Sequence, residues 1–139
     1  MIVKVKLDPG SFLPKHGHDA DAGWDLCAKE DFVVPAGGHA VHDTGVHMAV
    51  PEGYCGLLVS KSGLNVKHSL TSTGLVDAGY NGPIIVKLYS EDTGRDYMFK
   101  AGDKISQIVI LPIPKVELEV VAELDDTERG DGRMGSTGR

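Results

Sequence analysis

The sequence predicts an all-β domain, a sandwich or barrel of short antiparallel strands. Three features carry that prediction. Apolar side chains alternate with polar ones in several short runs, the period of a half-buried strand. Clusters of Pro, Gly, Asp and Asn punctuate those runs at short intervals. Helical character is confined to one brief segment, too little to build a helical layer.

Taken in order, Met1 to Leu7 alternates Val3, Val5 and Leu7 with Lys4 and Lys6, and reads as a strand. Val46 to Val50 alternates again, and Tyr54 to Val59 reads as a buried strand after the Pro51-Glu52-Gly53 turn. Gly63-Leu64-Asn65-Val66-Lys67, after Ser62, is the place for a single helical turn. Ile105 to Leu111 is a further strand, closed by Pro112 and Pro114. Val116-Glu117-Leu118-Glu119-Val120 alternates in the same way and is expected to be the last strand. Pro35-Ala36-Gly37-Gly38, Glu91-Asp92-Thr93-Gly94 and Ala101-Gly102-Asp103 supply turns between them.

The length of 139 residues suits one domain with a core of its own. A net charge of -6 argues against a nucleic-acid or anionic-membrane surface, either of which calls for a basic patch. No apolar run reaches membrane-spanning length, and the alternating N-terminus lacks the apolar block of a signal peptide. Cys27 and Cys55 lie in strand-like surroundings and read as reduced core residues. These features predict a soluble cytoplasmic protein. His16-Gly17-His18 reads as an exposed loop, and His39, His42, His47 and His68 are scattered, so no zinc-ligand cluster is expected.

The stretch Gly74-Leu75-Val76-Asp77-Ala78-Gly79-Tyr80-Asn81-Gly82 joins two apolar runs and is expected to form a tight β-hairpin. It sets a carboxylate and a phenol three positions apart, where both could face one small concavity. Bare amides at the glycines could then meet a planar ligand edge-on. An ordinary Asp-containing turn fits the same residues. After Leu124, read as the last apolar anchor, the composition turns acidic and then Gly-rich, which defines a flexible tail over 125–139 beside a domain over 1–124. Free amides, hydroxyls and Arg129 would suit phosphate oxygens if that tail ordered on a ligand.

Five segments, in this order and spacing, carry a family likeness across nearly the whole chain. They are Asp21 to Leu26, Ser60-Lys61-Ser62-Gly63-Leu64, the Gly74 to Gly82 hairpin, Gly102 to Gln107, and Arg129 to Gly138. Together they closely resemble the trimeric dUTPases. The resemblance implies a β jelly roll and a homotrimer whose three sites are each built from all subunits. It implies Mg2+-assisted hydrolysis of dUTP to dUMP and pyrophosphate, which limits dUTP and supplies dUMP for dTMP synthesis. By the same match, Asp77 is the base that activates water and Tyr80 packs beneath the deoxyribose. The hairpin backbone, Gly74 included, reads the uracil edge. Asp25 would hold Mg2+ through water. Lys61, Ser62 and Gly63 fall in the phosphate clamp, and Gln107 supports the phosphate chain. Arg129, Met134, Gly135, Ser136 and Thr137 belong to the tail that closes over the nucleotide.

Departures are specific. Ser60-Lys61 stands where the family motif begins Pro-Arg, so the charge is kept and the bidentate fork is lost. Arg133 replaces a glycine, and Met134 replaces the aromatic that stacks on uracil, although a thioether can still cover a base. Three other readings compete. Asp43-Thr44-Gly45 is the triplet of retroviral-type aspartic proteases, but no apolar-Gly-Arg brace follows late in the chain. A dCTP deaminase would carry a glutamate in the hairpin, where this chain has Asp77 with Tyr80. A nucleotide-sensing module without catalysis is the third.

Overall fold

The computed structural model describes residues 1–132 and contains ten strands and one helix among them. In chain order these are β1 (Lys4–Leu7), β2 (Trp24–Cys27), β3 (Phe32–Val34), β4 (His39–Asp43), β5 (Val46–Ala49) and β6 (Tyr54–Val59). Then follow α1 (Ser62–His68), β7 (Leu70–Asp77), β8 (Ile85–Ser90), β9 (Tyr97–Phe99) and β10 (Lys104–Pro112). All pairings are antiparallel. A curled six-stranded sheet runs β2-β10-β6-β7-β8-β4, with the pairs β1-β5 and β3-β9 beside it, a jelly-roll type of all-β fold.

Alternation decides which face each strand buries. In β8, Val86 and Leu88 point inward with Ser90, while Ile85, Lys87 and Tyr89 point outward. Leu26, Val34, Leu70, Ile105 and Ile108 join them in a continuous core. Burial of this apolar surface, at about 25 cal/mol per Å2, is the main term holding the sheet closed. Between Lys104 and Ser106 the β10–β2 pairing slips by a bulge. The slip buries Ile105 and Ser106 together and brings Gln107 opposite Asp25.

The short helix falls where the sequence places it. It ends because Ser69 turns into the left-handed region (φ 54°) and donates its N–H back to the Asn65 carbonyl. Cys27 and Cys55 are free thiols, Cys55 buried and Cys27 partly so.

Several expectations change. The hairpin is not tight. β7 pairs with β8 only through Leu70, Thr71 and Ser72, then leaves it to pair with β6 from Thr73 to Asp77. β8 meanwhile turns to β4, so the two strands splay and open a cleft between them. The predicted strand 116–120 does not form: Val116, Leu118 and Val120 are 68%, 91% and 99% exposed, with no strand beside them among the described residues. Leu124 is likewise exposed and joins no core cluster among the described residues. His16-Gly17-His18 is a loop as expected, with His18 exposed, but the His16 ring packs on Trp24 at 3.7 Å between centroids. β2, β3, β4 and β9 were too short or too mixed in pattern to stand out.

Candidate active site

Two clusters form on the sheet. The first lies in the splay, where a cleft of about 210 Å3 is lined by Gly74, Val76, Asp77, Tyr80, Pro83 and Ile85 among others. The Tyr80 amide donates to the Asp77 carbonyl at 3.2 Å, closing the turn at the end of β7. The Tyr80 hydroxyl donates to the Pro83 carbonyl at 3.0 Å, which fixes the ring across the turn. Gly82 makes that possible, because a Cβ there would lie 2.3 Å from the phenol oxygen. The Asp77 side chain is exposed and has no ion pair or hydrogen bond among the described residues. A carboxylate so placed can take a proton from a water in the cleft.

The second cluster is charged. Asp25 of β2 is 4% exposed, and its amide donates to the Lys15 carbonyl at 2.7 Å. One carboxylate oxygen receives Lys104 Nζ at 2.7 Å and the other receives Lys61 Nζ. Burial by itself would raise the Asp25 carboxyl, but the hydrogen bonds from Lys104 and Lys61 outweigh it and hold the group below its usual range. The same contact raises Lys104. Two ammonium groups around one carboxylate leave the cluster net positive, as an anionic ligand requires. Ser62 and Gly63 open α1, so their amides have no intrahelical acceptor, and Gly63 faces open space.

Gln107 joins the two strands of this cluster. Its Nε2 donates to the Ser60 carbonyl at 3.1 Å, and its Oε1 occupies the space over Gly23, 2.2 Å from where a Cβ would stand. Ser60, where the family motif has proline, hydrogen-bonds both ways with Ser72: it accepts from the amide at 2.9 Å and donates to the carbonyl at 3.1 Å.

Sequence position underestimated three residues. Lys104 lies inside a recognised motif, yet its ion pair with Asp25 depends on the bulge in β10. Ser60 looked like a departure and proves to be a cross-strand tie. His47 was assigned nothing, although its ring nitrogens lie 2.8 Å from the Asn81 carbonyl and 3.0 Å from Asp8.

The two clusters stand apart within one protomer. Asp77 pairs with Cys55 across β6, whereas Gln107 and Thr73 both pair with Val59. Four residues of strand separate those positions by about 13 Å. Arg129 is exposed in a local turn, its carbonyl accepting from the Gly132 amide at 3.1 Å, and reaches neither cluster. Met134, Gly135, Ser136 and Thr137, with Arg133, lie outside the described residues. Asp103 serves a turn, accepting from the Lys100 amide at 2.8 Å. The Asp43-Thr44-Gly45 triplet braces the fold: Asp43 accepts from the Gly45 amide at 2.8 Å, and the buried Thr44 hydroxyl donates to the Ile84 carbonyl at 2.7 Å. Among the described residues no three His, Cys, Asp or Glu side chains gather as a metal cage, and no helix is long and apolar enough to cross a membrane.

Comparison with known proteins agrees with this arrangement. The dUTPase family model matches residues 11–138. The deoxyuridine 5'-triphosphate nucleotidohydrolase of Corynebacterium glutamicum is 42% identical over 138 residues, covering 97% of this chain and 93% of that protein. Its counterpart from Paramecium bursaria Chlorella virus 1 is 40% identical over 139 residues, covering 99% and 97%. The dUTPase of Staphylococcus bacteriophage 80alpha, solved with dUpNHpp, superposes with a TM-score of 0.88 at 31% identity over 99% of both chains. A mutant dUTPase from phage phi11 of S. aureus, in which a structural Mg(II) ion is coordinated, gives a TM-score of 0.81 at 31% identity, covering 88% of this chain and 98% of that one. With a family match over most of its length and these relatives, the chain belongs to the dUTPase family.

Proposed function

We propose that the chain is a dUTP diphosphatase, hydrolysing dUTP to dUMP and pyrophosphate by water attack on the α-phosphorus. The observation that carries this is the cleft between the splayed strands, which presents an unencumbered Asp77 carboxylate beside Tyr80. Asp77 accepts a proton from the attacking water, so the nucleophile forms where the base is already fixed. Tyr80 lies beneath the deoxyribose and leaves no room for a 2′-hydroxyl. The backbone beside Gly74 offers its hydrogen-bonding groups to the uracil edge. A base with the wrong donor pattern would leave buried groups unpaired, which rejects cytosine strongly.

Lys61, the Ser62 hydroxyl, the Gly63 amide and Gln107 bind the phosphate chain. Asp25 would hold Mg2+ through water rather than directly, since its two oxygens already receive Lys61 and Lys104, no three acidic, His or Cys side chains gather among the described residues, and Mg2+ parts with water reluctantly. When bound, the ion offsets triphosphate charge. The tail over 125–139 closes on the nucleotide, with Arg129, Gly135, Ser136 and Thr137 at the phosphates and Met134 over the base. The product dUMP feeds dTMP synthesis, and dUTP is kept low.

A homotrimer with shared sites is part of the proposal. The 13 Å or so between Asp77 and the Gln107 cluster supports it, since one protomer does not bring them to one nucleotide. The chain also offers complementary edges. β1, continued by Val3 before it, alternates Val5 and Leu7 with Lys4 and Lys6, and its second edge carries no strand among the described residues. The exposed segment 116–120 matches it with Val116, Leu118 and Val120 against Glu117 and Glu119. Paired between subunits, the apolar faces would be covered and the charges would oppose across strands.

The deciding experiment is pyrophosphate release from dUTP, dCTP, dTTP and UTP with and without Mg2+. Release from dUTP alone, stimulated by Mg2+, is expected. Binding of dUTP without release would make the chain a sensing module, and ammonia from dCTP would make it a deaminase.

A further inference from the structure

We propose that His47 is a positioning residue for the nucleotide cleft, an imidazolium that ties the Asn81 carbonyl to the Asp8 carboxylate and lets the Tyr80–Pro83 turn loosen on deprotonation. The proposal rests on the dUTP reading of the cleft for its effect on substrate, and on geometry for the tie itself.

The geometry sets the protonation state. His47 Nδ1 lies 2.8 Å from the Asn81 carbonyl oxygen, and Nε2 lies 3.0 Å from Asp8 Oδ2. A carbonyl and an ionised carboxylate only accept, whereas neutral imidazole has a single N–H to give. Both contacts are hydrogen bonds only when both ring nitrogens carry protons. In the neutral ring one pair would set lone pair against lone pair. The side chain is only 17% exposed, so water offers limited relief.

The surrounding charges favour the cation. Hydrogen bonding to the Asn81 carbonyl and then to Asp8 raises His47 above its usual value, against burial and the nearby Lys6. Asp8 is correspondingly lowered, first by its hydrogen bond from His47. From β1, Lys4 and Lys6 share an open cavity with His47 and Asn81, and Lys6 Nζ is 3.8 Å from Asp8 Oδ1. Lys29, beyond β2, also acts on Asp8. Asp8 is thus the anion that His47, Lys6 and Lys29 share.

The tie falls on the turn's tip, Tyr80 to Pro83, which has no other hydrogen bond to the β1-β5 pair among the described residues. At its return, Ile84 is strapped to the body through its amide to the Val46 carbonyl, 2.8 Å, and its carbonyl to Thr44. At its start, the Tyr80 amide closes on Asp77. Between them Tyr80 hydroxyl to Pro83 is internal to the turn. Among the described residues, the His47 to Asn81 contact is the one hydrogen bond that holds the tip to the β1-β5 pair. Tyr80 and Pro83 line the cleft that receives the nucleotide, so the tie sets their position.

The sign follows. A histidine raised on folding contributes fully below its usual value of about 6.5, and that contribution is lost as pH rises through the raised value. The test uses the full chain as wild type, His47→Gln and His47→Ala. Free wild-type protein at about pH 6 should show both His47 ring nitrogens protonated by 15N NMR. Amide exchange at Tyr80 and Ile84, whose amides are bonded to the Asp77 and Val46 carbonyls at either end of the turn, corrected for intrinsic rates, should quicken through the His47 titration. His47→Gln keeps one donor and should show no such step. The KM for dUTP should rise about tenfold in His47→Ala at about pH 6, with kcat nearly unchanged, about the effect of one charge-assisted hydrogen bond. His47→Gln should recover part of that loss without the pH step. A singly protonated ring at that pH, or identical exchange and KM profiles in wild type and His47→Gln, would overturn the proposal. A protein that releases no pyrophosphate from dUTP, yet shows the imidazolium and the pH-dependent exchange, would overturn the dUTP reading and support the tie.

Discussion

Asp77 and Asp25 are both carboxylates at strand positions, and their surroundings separate their tasks. Asp25 is buried and doubly paired with Lys61 and Lys104, so it is locked as an anion and cannot move a proton. Asp77 is open to the cleft and unpaired among the described side chains, which leaves it free to accept one. Asp77→Asn should therefore lower the rate of pyrophosphate release about a thousandfold, within the usual contribution of a general base, while calorimetry shows dUTP still bound. A variant that kept a tenth of the wild-type rate, or about that, would place the base elsewhere. The identity of Asp77 was legible because its hairpin motif is local in sequence. The locking of Asp25 was not, because Lys61 and Lys104 reach it from two other strands' ends.

The splay of β7 from β8 makes the cleft, and the pairing of β7 with β6 maintains it. β7 changes partner at Ser72 and Thr73, and there the Ser60 hydroxyl stitches the Ser72 backbone to the end of β6. The Ser72 hydroxyl in turn meets Ser106 at 2.8 Å, and Ser106 donates to the Val59 carbonyl at 3.1 Å. This chain of polar contacts joins β6, β7 and β10 at a point buried from water. Ser60→Ala would strip the Ser72 amide and carbonyl of a partner together. Urea unfolding should show a loss of about 1–3 kcal/mol, the cost of leaving such groups unsatisfied. A loss under about 0.5 kcal/mol would mean that the strand crossing is held by apolar packing alone. Alternation in the sequence marked β6 and β10 correctly, but it could not mark where β7 changes partner. Periodicity reports which face is buried and is blind to which neighbour supplies the pairing.

At the level of assembly, Val116, Leu118 and Val120 form an apolar stripe that the described residues leave exposed. A strand with open edges and an exposed apolar face is an invitation to pair with another chain. Charge should choose the partner strand: Glu117 and Glu119 suit Lys4 and Lys6 of β1 in a second copy. Glu117→Lys with Glu119→Lys should shift light-scattering mass from the proposed trimer towards monomer, with dUTP turnover falling in step. Adding Lys4→Glu and Lys6→Glu should restore both. Persistence of the trimer in the first variant would show that these strands do not pair.

Much of this protein was written in local pattern. Apolar patterning marked four of the strands (β1, β5, β6 and β10), the turn clusters located their ends, and the segment after Ser62 placed the helix. Motif order identified the family's segments. Local pattern sufficed there because it reflects nearest-neighbour geometry, the pleat of a strand and the demands of a turn. Long-range pairing determined the rest: the splay that opens the cleft, the bulge that sets Gln107 against Asp25, the lysines around that carboxylate, and the His47 tie. It also decided that 116–120 would be no strand in one chain, because a strand exists only where another backbone lies beside it.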